Sequence, residues 1–243
     1  MIMITDERSL LAGSGGPVTR SRISRDLEVL GLGRGDAVMF HTRMSAIVCV
    51  AGGPQTVIGV LGDVVGPWGT LMTYCGWNDA PPYDFVTWPQ PWQDALRAEH
   101  PAYDPGLSEA DHGNGRLPEA LRRWPGAVRS RHPDVSFAAL GAAADLTADH
   151  PWDDPHGANS PLARPVAHNG RVLLLGAPLD TMTLLHHAEA PGKRFVDYEQ
   201  PILVNGRRVW RPSARHSEVQ GRSSLLRSPA IDVPPGAAAC NPP

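Results

Sequence analysis

Two short apolar runs, Ala37–Phe40 and Thr70–Tyr74, bracket a segment with the marks of a helix. Gly52, Gly53 and Pro54 open that segment, an apolar stripe follows at Val57, Leu61 and Val64, and Gly66–Pro67 close it. Proline suits a first helical turn, where its missing N–H costs nothing. Apolar residues three and four apart line up on one face, which must be buried. The flanking runs are too short for helices and read as strands. A strand–helix–strand order commits the chain to a layered α/β architecture.

The remaining signals fit that frame. Thr19 is an N-cap before Ile23, Leu27 and Leu30 at helical spacing, and Gly31 ends the helix. Leu117–Trp124 reads as a short helix, and Ser136–Leu140 and Val172–Leu175 as strands. Asn169–Gly170 and Asn205–Gly206 are hairpin signals, the second flanked by Ile202–Val204 and Arg208–Trp210. Residues 80–113 and 151–161 show little periodicity and read as long functional loops. The expected fold is a single-domain α/β/α sandwich with a mixed, partly antiparallel sheet over residues 19–210. Residues 1–18, with Gly13, Gly15, Gly16 and Pro17, read as a disordered leader. Residues 211–243, rich in Ser, Arg, Pro and Ala, read as a disordered or aberrant tail.

Composition removes several function classes. A net charge of −3 over 243 residues offers no basic field for nucleic acid. No apolar run reaches the roughly 18 residues of a membrane span, and the N-terminus lacks a signal-peptide core. Three scattered cysteines, Cys49, Cys75 and Cys240, argue against a disulfide framework and for a cytoplasmic location. No HExxH pattern is present, so no metal is expected.

The chemistry concentrates at Leu175–Ala190, LGAPLDTMTLLHHAEA. His186 and Glu189 are three apart and share a helix face. A carboxylate beside an imidazole sets its tautomer and stabilises its cation, which is the equipment of a general base. The same spacing also describes a hydrogen-bonded structural histidine. Gly52–Gly53–Pro54 is either a tight turn or a helix start whose N–H groups bind phosphate. The polar turn Arg129–Asp134 is either solvated or an anion contact, for which the arginine fork is suited. Cys75 ends a strand with no base near it in sequence and is not read as a nucleophile.

Four stretches together resemble the aminoglycoside 3-N-acetyltransferases, a family unrelated in fold to the GNAT acetyltransferases. They are GDAVMFHTRMSAIVCVAGGP at 35–54, GTLMTYCGWND at 69–79, PGAVRSRHPDVSFAALG at 125–141 and VLLLGAPLDTMTLLHHAEA at 172–190. The resemblance implies acetyl-CoA as donor, an aminoglycoside antibiotic as acceptor, and direct transfer in a ternary complex, by a monomer or homodimer. It makes His186 the catalytic base and Glu189 its partner. It assigns coenzyme contacts to His41, Arg43, Val50, Gly52 and Gly53, to Arg129 and Ser130, and to Asp180, Thr181 and Thr183. Drug contacts fall to Tyr74, Trp77, Asp79 and Asp104. The chain departs from the family at Arg43, where serine is usual. The alternatives are acetylation of another small amine, or an inactive coenzyme-binding homologue.

Overall fold

The computed structural model describes residues 16–47, 49–189 and 195–216. Helix α1, Arg20–Val29, starts at Thr19, whose hydroxyl accepts the Arg22 N–H at 3.4 Å. Its buried stripe is Ile23 and Leu27. Strand β1, Ala37–Thr42, leads through a short turn into α2, Gly53–Val65. Gly52 at φ 82° makes the left-handed corner that a side chain would resist. Helix α2 buries Val57, Ile58, Val60, Leu61, Val64 and Val65, each worth about 1.5–3 kcal/mol of transfer free energy. Strand β2 is Thr70–Tyr74, the same span read from the sequence.

The other elements are α3 (Gln90–Glu99), α4 (Arg116–Arg122), β3 (Val128–Arg129), β4 (Phe137–Gly141), α5 (Ala163–Ala167) and β5 (Arg171–Leu175). They are followed by α6 (Leu185–Glu189), β6 (Phe195–Val204) and β7 (Arg207–His216). Strands β1 to β5 form one sheet in the order β3-β4-β2-β1-β5. Strand β1 runs parallel to β2 and β5, while β4 is antiparallel to both β2 and β3. The sheet is therefore mixed, as expected.

Alternation along the strands splits the core between two faces. Val38, Phe40, Leu71, Ala138 and Leu173 face α1, α2 and α4, where Leu117 and Leu121 complete the larger cluster. Met39, Met72, Phe137 and Ala139 face the other way, under Ala144 and Leu162. That second layer is thin, built from the short helix α5 and a 3-10 turn at Ala144–Thr147.

Three sequence expectations need correction. Asn169–Gly170 is not a hairpin turn. Asn169 (φ 52°) follows helix α5, and the Gly170 N–H donates back to Pro165 O at 2.6 Å before β5 starts. Left-handed Asn-Gly serves a helix end as readily as a hairpin. Residues 80–113 are not a featureless loop, because α3 lies inside them. The ordered strand continues past Trp210 to His216. Asn205–Gly206 does close a hairpin, with φ 51° and 74°, as a type I′ turn requires.

That hairpin clasps the 80–103 region. Tyr103 N–H donates to Pro201 O at 2.8 Å, Arg97 pairs with Glu199 at 3.2 Å, and Trp210 Nε1 donates to Arg97 O at 3.0 Å. Val18, the last residue of the expected leader, is paired beside Val50, its N–H donating to Cys49 O at 2.8 Å. Residues 1–15 and 217–243 lie outside the described residues.

Candidate active site

Because β1, β2 and β5 are parallel, the segments leaving them emerge on one edge of the sheet. Ligand sites in open α/β sheets lie at such carboxyl edges. Here the edge holds a cleft of about 500 Å³, with walls that include His41, Thr42, Arg43, Tyr74, Asn114 and Thr181. Gly176 makes this possible. A Cβ there would sit 2.9 Å from Ala46 Cβ and 3.1 Å from Arg43 O, so only glycine lets the turn after β5 close onto the turn after β1. Arg43 N–H donates to Leu175 O at 2.9 Å across that junction.

His41 is the penultimate residue of β1, its ring half-buried. Burial lowers its pKa to about 4, so the ring is neutral at pH 7. Its Nε2 and the neighbouring Thr42 Oγ1 are buried with no hydrogen-bond partner among the described residues.

Beyond the cleft wall, the chain passes Thr181, whose hydroxyl donates to Pro178 O at 2.6 Å, and reaches α6. Thr183 is buried and its carbonyl accepts the His186 N–H at 3.0 Å. The His186 ring is 49% exposed, and its Nδ1 lies 3.4 Å from Glu189 Oε2. The Glu189 side chain is only 12% exposed. A buried carboxylate on a half-open imidazole orients the ring while leaving it reachable. The His156 ring lies 5.5 Å away, and His187 Nδ1 is engaged by His156 O at 2.7 Å. Asp180 is exposed at the start of this segment.

Several residues assigned from the resemblance are placed elsewhere. Arg129 is 8% exposed and cannot grip an outside anion. Its guanidinium donates to Ser108 O and Gly76 O and, at 3.2 Å, to Ser136 Oγ, and it lies 5.1 Å over the Tyr103 ring. Ser130 is fully buried, its hydroxyl accepting the Phe137 N–H at 3.0 Å. Val50 is buried in the main core. Trp77 is buried edge-on against His100 and Tyr103, so it is a packing residue. Asp104 caps its own turn, with Oδ1 accepting Gly106 N–H at 2.7 Å and Leu107 N–H at 3.2 Å. Gly52 and Gly53 open α2 away from the cleft wall. Asp79 is exposed beside Asn78, whose side-chain amide donates to it at 2.9 Å. Cys75 is buried and its thiol is pushed up to about 12, so it is inert as a nucleophile.

The sequence reading also missed part of the wall. Thr42, His112 and Arg116 line the cleft. The Gly113–Asn114–Gly115 turn that delivers the last two was the available signal.

The mixed sheet, with its cleft at the carboxyl edge of the parallel strands, defines an α/β protein of the kind that carries its ligand site at that edge. A family model described as aminoglycoside 3-N-acetyltransferase matches residues 39–225. The chain is 78% identical over 211 residues to aminoglycoside N(3)-acetyltransferase VII of Streptomyces paromomycinus, covering 85% of this chain and 73% of that one. The crystal structure of aminoglycoside acetyltransferase AAC(3)-Xa superposes with a TM-score of 0.87 at 66% identity, covering 95% of this chain and 82% of that one. A binary complex of AAC-IIIb with CoASH superposes with a TM-score of 0.76 at 42% identity, covering 85% and 79%. The chain belongs to the aminoglycoside 3-N-acetyltransferase family, and is thus an acyltransferase.

Proposed function

We propose that this protein moves the acetyl group of acetyl-CoA onto the 3-amino group of aminoglycoside antibiotics, so conferring resistance in the cytoplasm, by direct transfer within a ternary complex. The observation that carries this reading is the half-open His186 ring held by Glu189, five residues along the chain from Thr181 in the cleft wall. The CoASH complex of a relative supports the choice of donor.

An aminoglycoside amine is mostly ammonium at neutral pH and has no lone pair to offer. With Nδ1 held by Glu189, His186 Nε2 takes the proton. The nitrogen then attacks the thioester carbon, an N–C bond forms, the C–S bond breaks as the imidazolium returns its proton to the departing sulfur, and the second proton of the attacking nitrogen, made acidic by the new N–C bond, passes to solvent. Glu189 stabilises the imidazolium between those two events. Base catalysis of this kind is worth roughly 10²–10⁴-fold, and the remainder comes from holding the two reactants together. A polycationic acceptor needs carboxylates at its entrance. Asp79, Glu109 and Asp111 are exposed on adjoining loops, joined where Asn78 Oδ1 accepts the His112 N–H at 3.3 Å.

Free-thiol release from acetyl-CoA across an aminoglycoside panel tests the function, with the position of the new acetyl group read by NMR. Acetylation at the 3-amino group is expected. No thiol release with any member, or acetylation at another amine, contradicts the reading.

A further inference from the structure

The permanent charges on the side chains that line the edge cleft are of one sign. Of the side chains that line it, only Arg43 and Arg116 carry a permanent charge, and none is a carboxylate. Both arginines are exposed, and neither makes an ion pair among the described residues. They come from segments far apart in sequence that the fold brings together. Arg43 follows β1. Arg116 opens α4, which is fastened by the buried Leu117, Pro118 and Leu121. Between them, Gly115 (φ 82°) packs in ordinary contact with β1, where a Cβ would be 3.5 Å from Thr42 O. The cleft floor adds two buried polar atoms without partners, His41 Nε2 and Thr42 Oγ1.

Two unpaired guanidiniums over a polar floor form a receptor for an anion with further hydrogen-bonding groups. The same field repels an acceptor bearing several ammonium groups.

We infer that Arg43 and Arg116 form an anion clamp at the cleft mouth that grips phosphate groups of the acyl donor and so selects a phosphorylated thioester over its phosphate-free analogue. The inference rests on the donor proposed above; it narrows the coenzyme contact expected at Arg43 to phosphate and adds Arg116 as its partner.

The test compares three donors, acetyl-CoA, acetyl-dephospho-CoA and S-acetylpantetheine, with the full chain and its Arg43→Ala and Arg116→Ala variants. Arg25→Ala, on the outer side of α1, controls for loss of charge. Each clamp variant should lower kcat/KM for acetyl-CoA by roughly 10-fold or more, the usual cost of a lost charge-assisted hydrogen bond. For S-acetylpantetheine the change should be below about twofold, since no phosphate contact remains to lose. Arg25→Ala should change neither. Acetyl-dephospho-CoA locates the gripped group. If it follows acetyl-CoA, the clamp holds the pyrophosphate; if it follows S-acetylpantetheine, the clamp holds the 3′-phosphate. Raising salt from about 0.05 to about 0.3 M should weaken use of acetyl-CoA by the parent chain and spare S-acetylpantetheine. Calorimetry with CoASH repeats the comparison without turnover. Equal losses with phosphorylated and phosphate-free donors, or no loss of CoASH affinity in either variant, overturn the clamp alone. If CoASH does not bind the parent chain, the proposed function falls and the clamp with it.

Discussion

Acid should weaken this fold through His132. The ring is 1% exposed, 4.7 Å from the His150 ring and 5.0 Å from the Trp152 ring, and its Nδ1 accepts the Val135 N–H at 3.3 Å. Arg211 lies 4.5 Å over the far side of Trp152. Burial, reinforced by Arg211, lowers the His132 pKa from 6.5 to about 4. The sign follows from linkage. The unfolded chain takes up the proton near pH 6.5 while the folded chain refuses it until near pH 4. Stability is complete above pH 6.5, declines as pH falls through that window, and levels off below the folded value. Integrating the difference gives a loss of about 2 kcal/mol between pH 7 and pH 5 from this one ring. His150, lowered to about 3 by burial and by His132, adds a parallel loss. The variant to compare is His132→Asn, whose Oδ1 can still accept from Val135 while the side chain no longer titrates. Urea unfolding at pH 7 and pH 5 should show the variant losing about 2 kcal/mol less than the parent, at constant denaturant slope. A variant that loses as much stability as the parent over that interval refutes the reasoning.

Glu189→Gln should reduce kcat at least roughly 10-fold, because the amide no longer stabilises the imidazolium, while calorimetry finds CoASH affinity unchanged. Cys75→Ala should keep transfer within about twofold, and Cys75 of the parent, read by peptide mapping, should resist alkylation, since a thiol held near 12 supplies almost no thiolate. Arg129→Met should cost about 2–4 kcal/mol in urea midpoint by stranding the Ser108 carbonyl, without the selective loss of CoASH affinity expected at Arg43 and Arg116. Gly206→Ala should cost about 1–2 kcal/mol in thermal unfolding, because a Cβ is strained at φ 74°.

What the sequence disclosed divides along a physical line. Elements held by local rules were legible. Helix α2 announced itself through Gly52, Pro54 and its apolar stripe, β2 through a short apolar run just after Gly66–Pro67, and the β6–β7 hairpin through Asn205–Gly206. Elements held by distant partners were not. Helix α3 has no buried residues of its own, and its anchors, Glu199 and Trp210, arrive about a hundred residues later. Arg129 looked like a surface cation because the carbonyls that swallow it, Gly76 and Ser108, lie 53 and 21 residues away. The His186–Glu189 contact was readable because the two residues sit on one turn of helix. The cleft was only partly readable, since Thr42 and Arg116 meet through tertiary packing around Gly115.

The base assignment has the most direct test in one pair of measurements on His186→Ala. Pre-steady-state acetyl transfer to an accepted aminoglycoside should fall roughly 10²–10⁴-fold, while CoASH binds the variant as it binds the parent. Transfer at the parental rate, with coenzyme bound normally, would mean that another group removes the proton.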